Sequence, residues 1–180
     1  MNQKIFIVCL DKSKALNIAK KIVYKDDNYT IAPMFTTNKE YDNEDNEVNE
    51  NYETYLDVHT ANLAYKNNSL LFIKTIQYVS SGITIDDFYN NDICIMDINE
   101  YNLIAENIFN KYNIITIWVD SKNHEILSNS DMIEINYFYN YLNNIDYLYF
   151  LDNENDIEDT IIEYIKGDEE CRRLILEENS

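Results

Sequence analysis

The sequence predicts an α/β fold in which a parallel β-sheet is flanked by helices. Short apolar stretches rich in β-branched residues alternate along the chain with longer amphipathic stretches, as in strands joined by crossover helices. Continuous apolar stretches such as residues 4–10 and 92–98 are typical of strands that are buried on both faces of a sheet. The 180 residues suffice for one core, so we expect a single domain over residues 1–180.

Each element follows from local pattern. Residues 4–10 are predicted as the first strand, and residues 15–22 carry apolar side chains at helical spacing, with Asp11 or Ser13 as the candidate helix cap. Further strands are predicted at residues 29–37, 69–79, 92–98, 113–120 and 146–153. Further helices are predicted at residues 56–68, 84–91, 100–112, 130–145 and 156–178, the last running into a charged tail at residues 167–180.

The charge of the chain limits its partners. The formal net charge is −19, and a field of that sign repels nucleic acid and anionic membranes. The acidic surface is either simply solvated or docks against a basic partner. Residues 38–53 are strongly acidic and nearly free of aliphatic side chains, which predicts a loop, either solvated or used as a metal or partner site. No apolar stretch is long enough to cross a bilayer.

The cysteines and histidines do not form a recognisable site. Cys9 and Cys94 lie in predicted core strands, and Cys171 lies far away near the carboxyl end. Reduced buried thiols, together with an N-terminus that lacks a signal-peptide pattern, predict an intracellular, cytoplasmic protein, with a virion as the alternative. Because His59 and His124 have no ligand spacing to a cysteine, we expect no metal site.

Several short patterns occur in an order that is informative about family. A strand, a lysine-bearing turn and an amphipathic helix occupy residues 4–23; "MFTTN" then contains Thr36 and Thr37, and "FIKTIQY" precedes Ser81. "ICIMDIN" places Asp97 at the end of a strand, and "ITIWVDS" and "IDYLYFLDNENDIEDTIIEYI" follow. Over nearly the whole chain this order resembles the guanylate kinase-like proteins of the P-loop nucleoside monophosphate kinase group.

The resemblance implies a small mixed α/β lobe inserted after the second strand. This lobe, together with the acidic loop at residues 38–54, would occupy about residues 38–90, and in the family it holds the nucleoside monophosphate. The positions that match nucleotide-binding residues of the family are Ser13, Lys14, Thr36, Thr37, Tyr52 (with Tyr55 as the alternative), Lys74, Ser81 and Asp97.

The phosphate loop departs from the family pattern. Here "CLDKSKAL" contains none of the glycines that let a backbone cradle phosphates, and Asp11 adds a negative charge. Lys12 or Lys14 could replace the family lysine, and Ser13 the magnesium-binding hydroxyl, although their spacing and order differ. The alternative is a solvated strand–helix turn that Ser13 caps.

The arginines that clamp nucleotides in the family are also missing. Asn38 follows the Thr-Thr pair, and the region that matches the lid has Lys122 and His124 instead of arginine. The arginines of the chain are Arg172 and Arg173, in the tail. Since arginine meets phosphate bidentately, its loss removes charge and geometry together.

The base-reading position carries the wrong chemistry. Lys74 stands where the family has a glutamate that accepts hydrogen bonds from guanine, and an ammonium group only donates. Lys74 is therefore predicted to be an exposed strand lysine or a partner for a carboxylate. Asp97 is interpreted either as a remnant of a magnesium site or as a helix cap.

These departures predict a catalytically inactive protein without a cofactor, which acts as a structural or protein-interaction module. The Asn-, Ile- and Lys-rich composition resembles that of AT-rich genomes, so a component of a large DNA virus particle or complex is a specific version of the hypothesis. The alternative is a divergent kinase that transfers phosphate from ATP to a nucleoside monophosphate, with Lys14, Asp97, Mg²⁺ and Tyr52 in the site. A nucleotide sensor without turnover lies between the two.

Overall fold

The computed structural model describes residues 4–9, 12–42, 50, 52–104, 106–112, 114–120, 147–150 and 157–166. The strands are β1 (Lys4–Cys9), β2 (Met34–Thr36), β3 (Glu53–Tyr55), β4 (Leu70–Ile76), β5 (Val79–Thr84), β6 (Ile93–Asp97), β7 (Ile114–Asp120) and β8 (Tyr147–Phe150). The helices are α1 (Lys12–Lys25), α2 (Val58–Lys66), α3 (Ile85–Asn90), α4 (Ile98–Asn102), α5 (Glu106–Lys111) and α6 (Ile157–Ile165), with a 3-10 turn at Lys39–Tyr41.

The larger sheet is parallel and has the strand order β6-β1-β7-β8. Ile31 extends this core sheet at its β6 edge through a parallel bridge to Ile93. With Ile31 counted as an edge position, the sheet has five positions. Numbered along the chain, their order across the sheet is 2-3-1-4-5. All six residues of the central strand β1 are buried, as the continuous apolar run predicted. The predicted parallel sheet is therefore confirmed.

Helices cover both faces of the core sheet, as predicted. On one face α1 and α6 pack against alternate residues of the central strands, and the members of this cluster include Ile5, Ile7, Ala15, Ile18, Ile22, Ile95, Ile117 and Ile161. On the other face α3 and α4 pack against the intervening residues, and that cluster includes Phe6, Val8, Phe88, Cys94, Met96, Ile98, Tyr101 and Trp118. The alternation follows from the two-residue period of a strand.

A second, smaller sheet forms the lobe that was expected after the second strand. Its order is β3-β2-β5-β4, with β2 parallel to β3 and the other pairs antiparallel. Strands β4 and β5 form a hairpin whose two turn residues, Gln77 and Tyr78, have φ values of 48° and 72°. Gly82 of β5 allows a close approach, because a Cβ atom there would lie 2.2 Å from the carbonyl oxygen of Phe72.

Three predicted elements are divided in the structure. The strand predicted at residues 29–37 is an isolated bridge at Ile31 followed by β2, and Pro33 between them has no N–H group for a ladder. The strand predicted at residues 69–79 turns at Gln77 and continues as β5. The helix predicted at residues 100–112 is the two short helices α4 and α5.

One local prediction was wrong, and one strand was not predicted. Strand β3 begins at Glu53, the last residue of the acidic segment that was predicted as a loop, and Glu53 pairs with Met34. Ser13 is the second residue of α1 and therefore cannot be its N-cap. Asp11, the other candidate, lies outside the described residues, as do Lys122, His124, Cys171, Arg172, Arg173, the helix predicted at 130–145 and the tail at 167–180. Among the described helices, none has both the length and the apolar composition needed to cross a bilayer.

Candidate functional site

The chain topology marks one place on the core sheet where a crevice is expected. Strand β1 leads into α1 on one face, whereas the adjacent parallel strand β6 leads into α4 on the opposite face. The connections diverge here, so the carboxyl ends of β1 and β6 form a topological switch point, where open α/β sheets bind ligands. The candidate site therefore lies around Lys12, the first residue of α1, and Asp97, the last residue of β6.

An ion pair crosses the switch point. The Lys12 ammonium lies 3.1 Å from Oε1 of Glu100, which belongs to the first turn of α4. The Lys12 side chain is 33% exposed and that of Glu100 only 4%. Lys12 also contacts the sulfur of Met34, which is in the lobe. Lys12 thus joins the start of one helix to the start of the other, across the place where an anionic ligand would sit.

Asp97 and Glu100 cap α4 together. Oδ1 of Asp97 accepts a hydrogen bond from the Glu100 amide at 2.8 Å, and Oε2 of Glu100 accepts one from the Asp97 amide at 2.9 Å. This reciprocal capping box satisfies two helix-end N–H groups. Burial raises the pKa of the Glu100 carboxyl, and the Lys12 ammonium opposes that rise without cancelling it.

A second ion pair joins the lobe to the core sheet. The ammonium of Lys74 in β4 lies 2.5 Å from Oδ2 of Asp97, and both side chains are about one-fifth exposed, at 21% and 19%. Lys74 is thus a partner for a carboxylate, which was one of the two sequence-based alternatives. Asp97 receives the lysine on one oxygen and caps α4 with the other.

The two ion pairs form one charge network, which comprises Lys12, Glu100, Asp97 and Lys74. It has two positive and two negative members, so its formal charge is zero. Phosphate recognition relies on positive charge and free N–H donors that face the anion. Here both ammonium groups face carboxylates of the chain itself, and the capping amides of α4 are occupied.

Three of the positions that match nucleotide-binding residues of the family lie in or next to the lobe sheet and hold its strands together. The Thr37 hydroxyl accepts a hydrogen bond from the Ser80 amide at 2.8 Å, and the Thr37 amide donates to the Ser80 carbonyl at 2.8 Å. Thr36 is 5% exposed and pairs in register with Ser81. The structure therefore places Thr36, Thr37 and Ser81 in strand pairing between β2 and β5.

Three further positions of this set are Ser13 and Lys14, which belong to α1, and Tyr52, which directly precedes β3. Ser13 and Tyr52 both line a cavity of about 210 Å³, together with Lys12, Met34, Tyr41 and Ile95. Tyr52 has a φ of 57°, and the Lys20 ammonium lies 5.8 Å from its ring centroid. Lys14 is an exposed residue of α1, so the lysine that reaches the switch point is Lys12. Tyr55, the alternative to Tyr52, is half-buried in β3.

The comparison with solved structures identifies the architecture. The chain is similar to the crystal structure of guanylate kinase from Anaplasma phagocytophilum, with a TM-score of 0.61 over 92% of this chain and 85% of that chain. The sequences are 10% identical.

The chain has a guanylate kinase-like fold.

This finding confirms the resemblance that the order of short motifs predicted. No protein-family model matches the sequence, and no curated protein matches it.

Sequence reasoning missed one member of the charge network in this guanylate kinase-like fold. Glu100 was not singled out, although Asp97 and Glu100 have the spacing of a capping box, which places both carboxylates at one helix end. Within the described ranges, no group of three or more His, Cys, Asp or Glu side chains is placed to hold a metal ion. Cys94 is fully buried, and this burial raises the pKa of its thiol to about 12, so it is not poised as a nucleophile.

Proposed function

We infer that this guanylate kinase-like protein does not transfer phosphate and instead serves as a structural or protein-interaction module. The observation that carries the inference is the charge network at the switch point. Phosphoryl transfer depends on positive groups that neutralise the charge of the phosphates. In this chain Lys12 and Lys74 are each engaged by a carboxylate, at 3.1 Å and 2.5 Å.

The size of the adjacent cavity supports the same inference. Small-molecule sites have volumes of about 300–1,000 Å³. The cavity beside Lys12 measures about 210 Å³, and the side chains of Met34 and Tyr52 line it. A nucleotide would have to displace side chains and break ion pairs before it could bind.

A group of exposed apolar side chains around the β4–β5 turn supports the interaction role. Ile76, Tyr78 and Val79 are 58%, 98% and 38% exposed. Large apolar and aromatic side chains on a surface are typical of contact sites with other proteins. Buried thiols favour an intracellular compartment, and an assembly such as a large viral particle is the version that the composition favours.

The test is binding and turnover of nucleotides. Purified protein is titrated with ATP–Mg²⁺ and with GMP while its thermal stability is followed, and ADP formation is measured with guanylate kinase from Anaplasma phagocytophilum as the positive control. A ligand that binds the native state would raise its stability by mass action, so binding would be seen as a saturable rise. We expect no such rise with either nucleotide, and no turnover. Turnover above the buffer rate that scales with protein concentration would refute the inference.

A charge-neutralised variant tests the cause. Asp97→Asn combined with Glu100→Gln removes both carboxylates but retains side chains that can cap α4. Lys12 and Lys74 are then released from their partners, and we expect measurable binding of inorganic pyrophosphate to the double variant. If neither the native chain nor the double variant binds pyrophosphate, the ion pairs are not what keeps phosphates out. The fold would then exclude them by shape.

A further inference from the structure

Strand β4 has an unpaired outer edge. It is the terminal strand of the lobe sheet, and within the described part of the chain it pairs with β5 alone. The strand is seven residues long, which is long for an edge, and its sequence, LLFIKTI, contains five aliphatic or aromatic residues. Edges of this kind are open to pairing with another chain unless they are protected.

The hydrogen-bond register shows which groups point outward. Ser80, which is opposite Thr75, directs its amide and its carbonyl away from β4 and toward Thr37, each at 2.8 Å. The backbone groups of Thr75 and Ser80 are therefore not hydrogen-bonded to each other, although their hydroxyl groups lie 2.9 Å apart. Because such positions alternate in an antiparallel ladder, Thr75 and Ile73 direct their N–H and C=O groups to the outer edge.

The same edge lies along an apolar groove of about 650 Å³. Residues 70–73 of β4 line it, so its floor follows the strand. Other lining residues include Tyr65 near the end of α2, Leu103 just after α4, and Ile108 in α5. Tyr65 and Leu103 are 63% and 51% exposed, which leaves apolar surface available to a ligand.

We propose that an extended segment of a partner protein adds to the outer edge of β4 as a further strand. This inference rests on the proposed interaction role, and it identifies the outer edge of β4 as the surface that contacts the partner protein. Backbone groups of Ile73 and Thr75 hydrogen-bond the segment, and its alternate side chains contact the walls at Tyr65 and Leu103. A segment of about five residues would run for about 16 Å along the strand.

The charges of the chain determine the kind of partner. Among the described residues that line the groove, Lys111 alone is charged, so the docked segment is an uncharged stretch with apolar residues at alternate positions. The net charge of −19 favours a partner that is basic outside that stretch. The same charge disfavours a second copy of the chain, because two copies would repel each other.

The probe is a display library of random peptides of about 12 residues, selected on the full chain. The edge variant is Thr75→Pro, because proline is tolerated on an edge strand where its missing N–H would face solvent. Thr75→Val is the matched control, which retains the N–H but loses the hydroxyl that contacts Ser80 at 2.9 Å. Leu103→Asp alters the wall independently of the edge, and Tyr24→Asp on α1 is its control.

We expect enriched peptides with alternating apolar residues and flanking lysine or arginine. Thr75→Pro and Leu103→Asp should each weaken binding about tenfold, while both controls bind like the native chain. Peptides that bind Thr75→Pro and Thr75→Val equally would overturn the edge site but leave the interaction role intact. Failure to enrich any peptide, or a dimer of the native chain that Thr75→Pro dissolves, would also overturn the proposal. Nucleotide turnover, in contrast, would refute the proposed function itself.

Discussion

The ion pair between Lys12 and Glu100 can be tested as a contribution to stability with Lys12→Met and Glu100→Gln. At 3.1 Å the gross Coulomb attraction is about 5 kcal/mol for an effective dielectric constant of ~20 and about 1 kcal/mol in bulk water. Because the Lys12 side chain is 33% exposed, solvent screens much of this attraction. We therefore expect a coupling free energy of about 1–2 kcal/mol from the double-mutant cycle.

The single variants should differ in cost. Lys12→Met leaves the buried Glu100 carboxylate without its cation, so we expect a loss of about 2 kcal/mol at neutral pH. Glu100→Gln removes the charge together with its desolvation cost and keeps an acceptor for the Asp97 amide, so we expect a loss below about 1 kcal/mol. Lys14→Met, two residues further along α1 and exposed, is the control and should be neutral.

The pH dependence has a defined sign. The pKa of Glu100 is raised in the folded state, so the native state binds a proton more readily than the unfolded state between the ordinary glutamate pKa of about 4.3 and the raised value. This term therefore lowers stability as the pH rises through that window. Lys12→Met removes a cation that opposes the shift, so the pKa of Glu100 rises further in the variant. The cost of the substitution should therefore be small below the raised pKa of the native chain and complete above the higher pKa of the variant.

The assay is urea unfolding at about pH 5 and about pH 8 of the native chain, the two single variants and the double variant. The dependence of the unfolding free energy on urea concentration must be the same in all four before their free energies are subtracted. Glu100→Gln should abolish the part of the pH dependence that Lys12→Met enlarges. A coupling below about 0.3 kcal/mol, or a cost of Lys12→Met that is the same at both pH values, would refute the assigned ion pair.

Two further predictions concern the lobe hairpin. Replacing Gln77 and Tyr78, which both have positive φ, by Asn and Gly should raise the unfolding free energy by about 1–2 kcal/mol. Asn-Gly suits such a two-residue turn, and Tyr78 buries almost no surface that would be lost. Unchanged stability in urea would contradict the backbone strain at these two residues. Gly82→Ala should lower the unfolding free energy by about 3 kcal/mol, because the new Cβ would lie 2.2 Å from the Phe72 carbonyl oxygen. Ser80→Ala on the same strand is the control. Equal losses of stability in the two variants would refute the close approach at Gly82.

The core sheet could be predicted because its central strands have a recognisable local sequence pattern. Strands such as β1 and β6 are continuous apolar runs, and their burial on both faces requires that pattern. The hairpin of β4 and β5 could not be predicted, because its turn uses Gln77 and Tyr78 where glycine or asparagine would have signalled reversal. Strand β3 could not be predicted either. It has only three residues and little apolar content, and it is a strand because these residues pair with β2.

The candidate site was predicted only in part, for a related reason. Sequence reasoning found Asp97 and Lys74 by motif and weighed a helix cap and a carboxylate partner as alternatives, and the structure joins the two at 2.5 Å. It assigned Lys14 to the phosphate site and gave Lys12 as an alternative, and the choice between them depends on where α1 begins. The pairing of residues separated by 88 positions, Lys12 and Glu100, follows from the parallel contact of β1 and β6, which no local pattern specifies.

The charge network also bears on whether a weak nucleotide site could survive in this fold. A phosphate that recruits Lys12 and Lys74 must first displace Glu100 and Asp97, so the apparent affinity falls by the fraction of molecules in which the lysines are free. A pairing free energy of about 1.4 kcal/mol for each lysine reduces that fraction, and the affinity, about tenfold per pair. The released carboxylates would then stand beside the phosphate and repel it. An enzyme gains rate from positive groups that are already in place. In this chain Lys74 instead joins the lobe to the core sheet, and Lys12 joins the start of α1 to the start of α4.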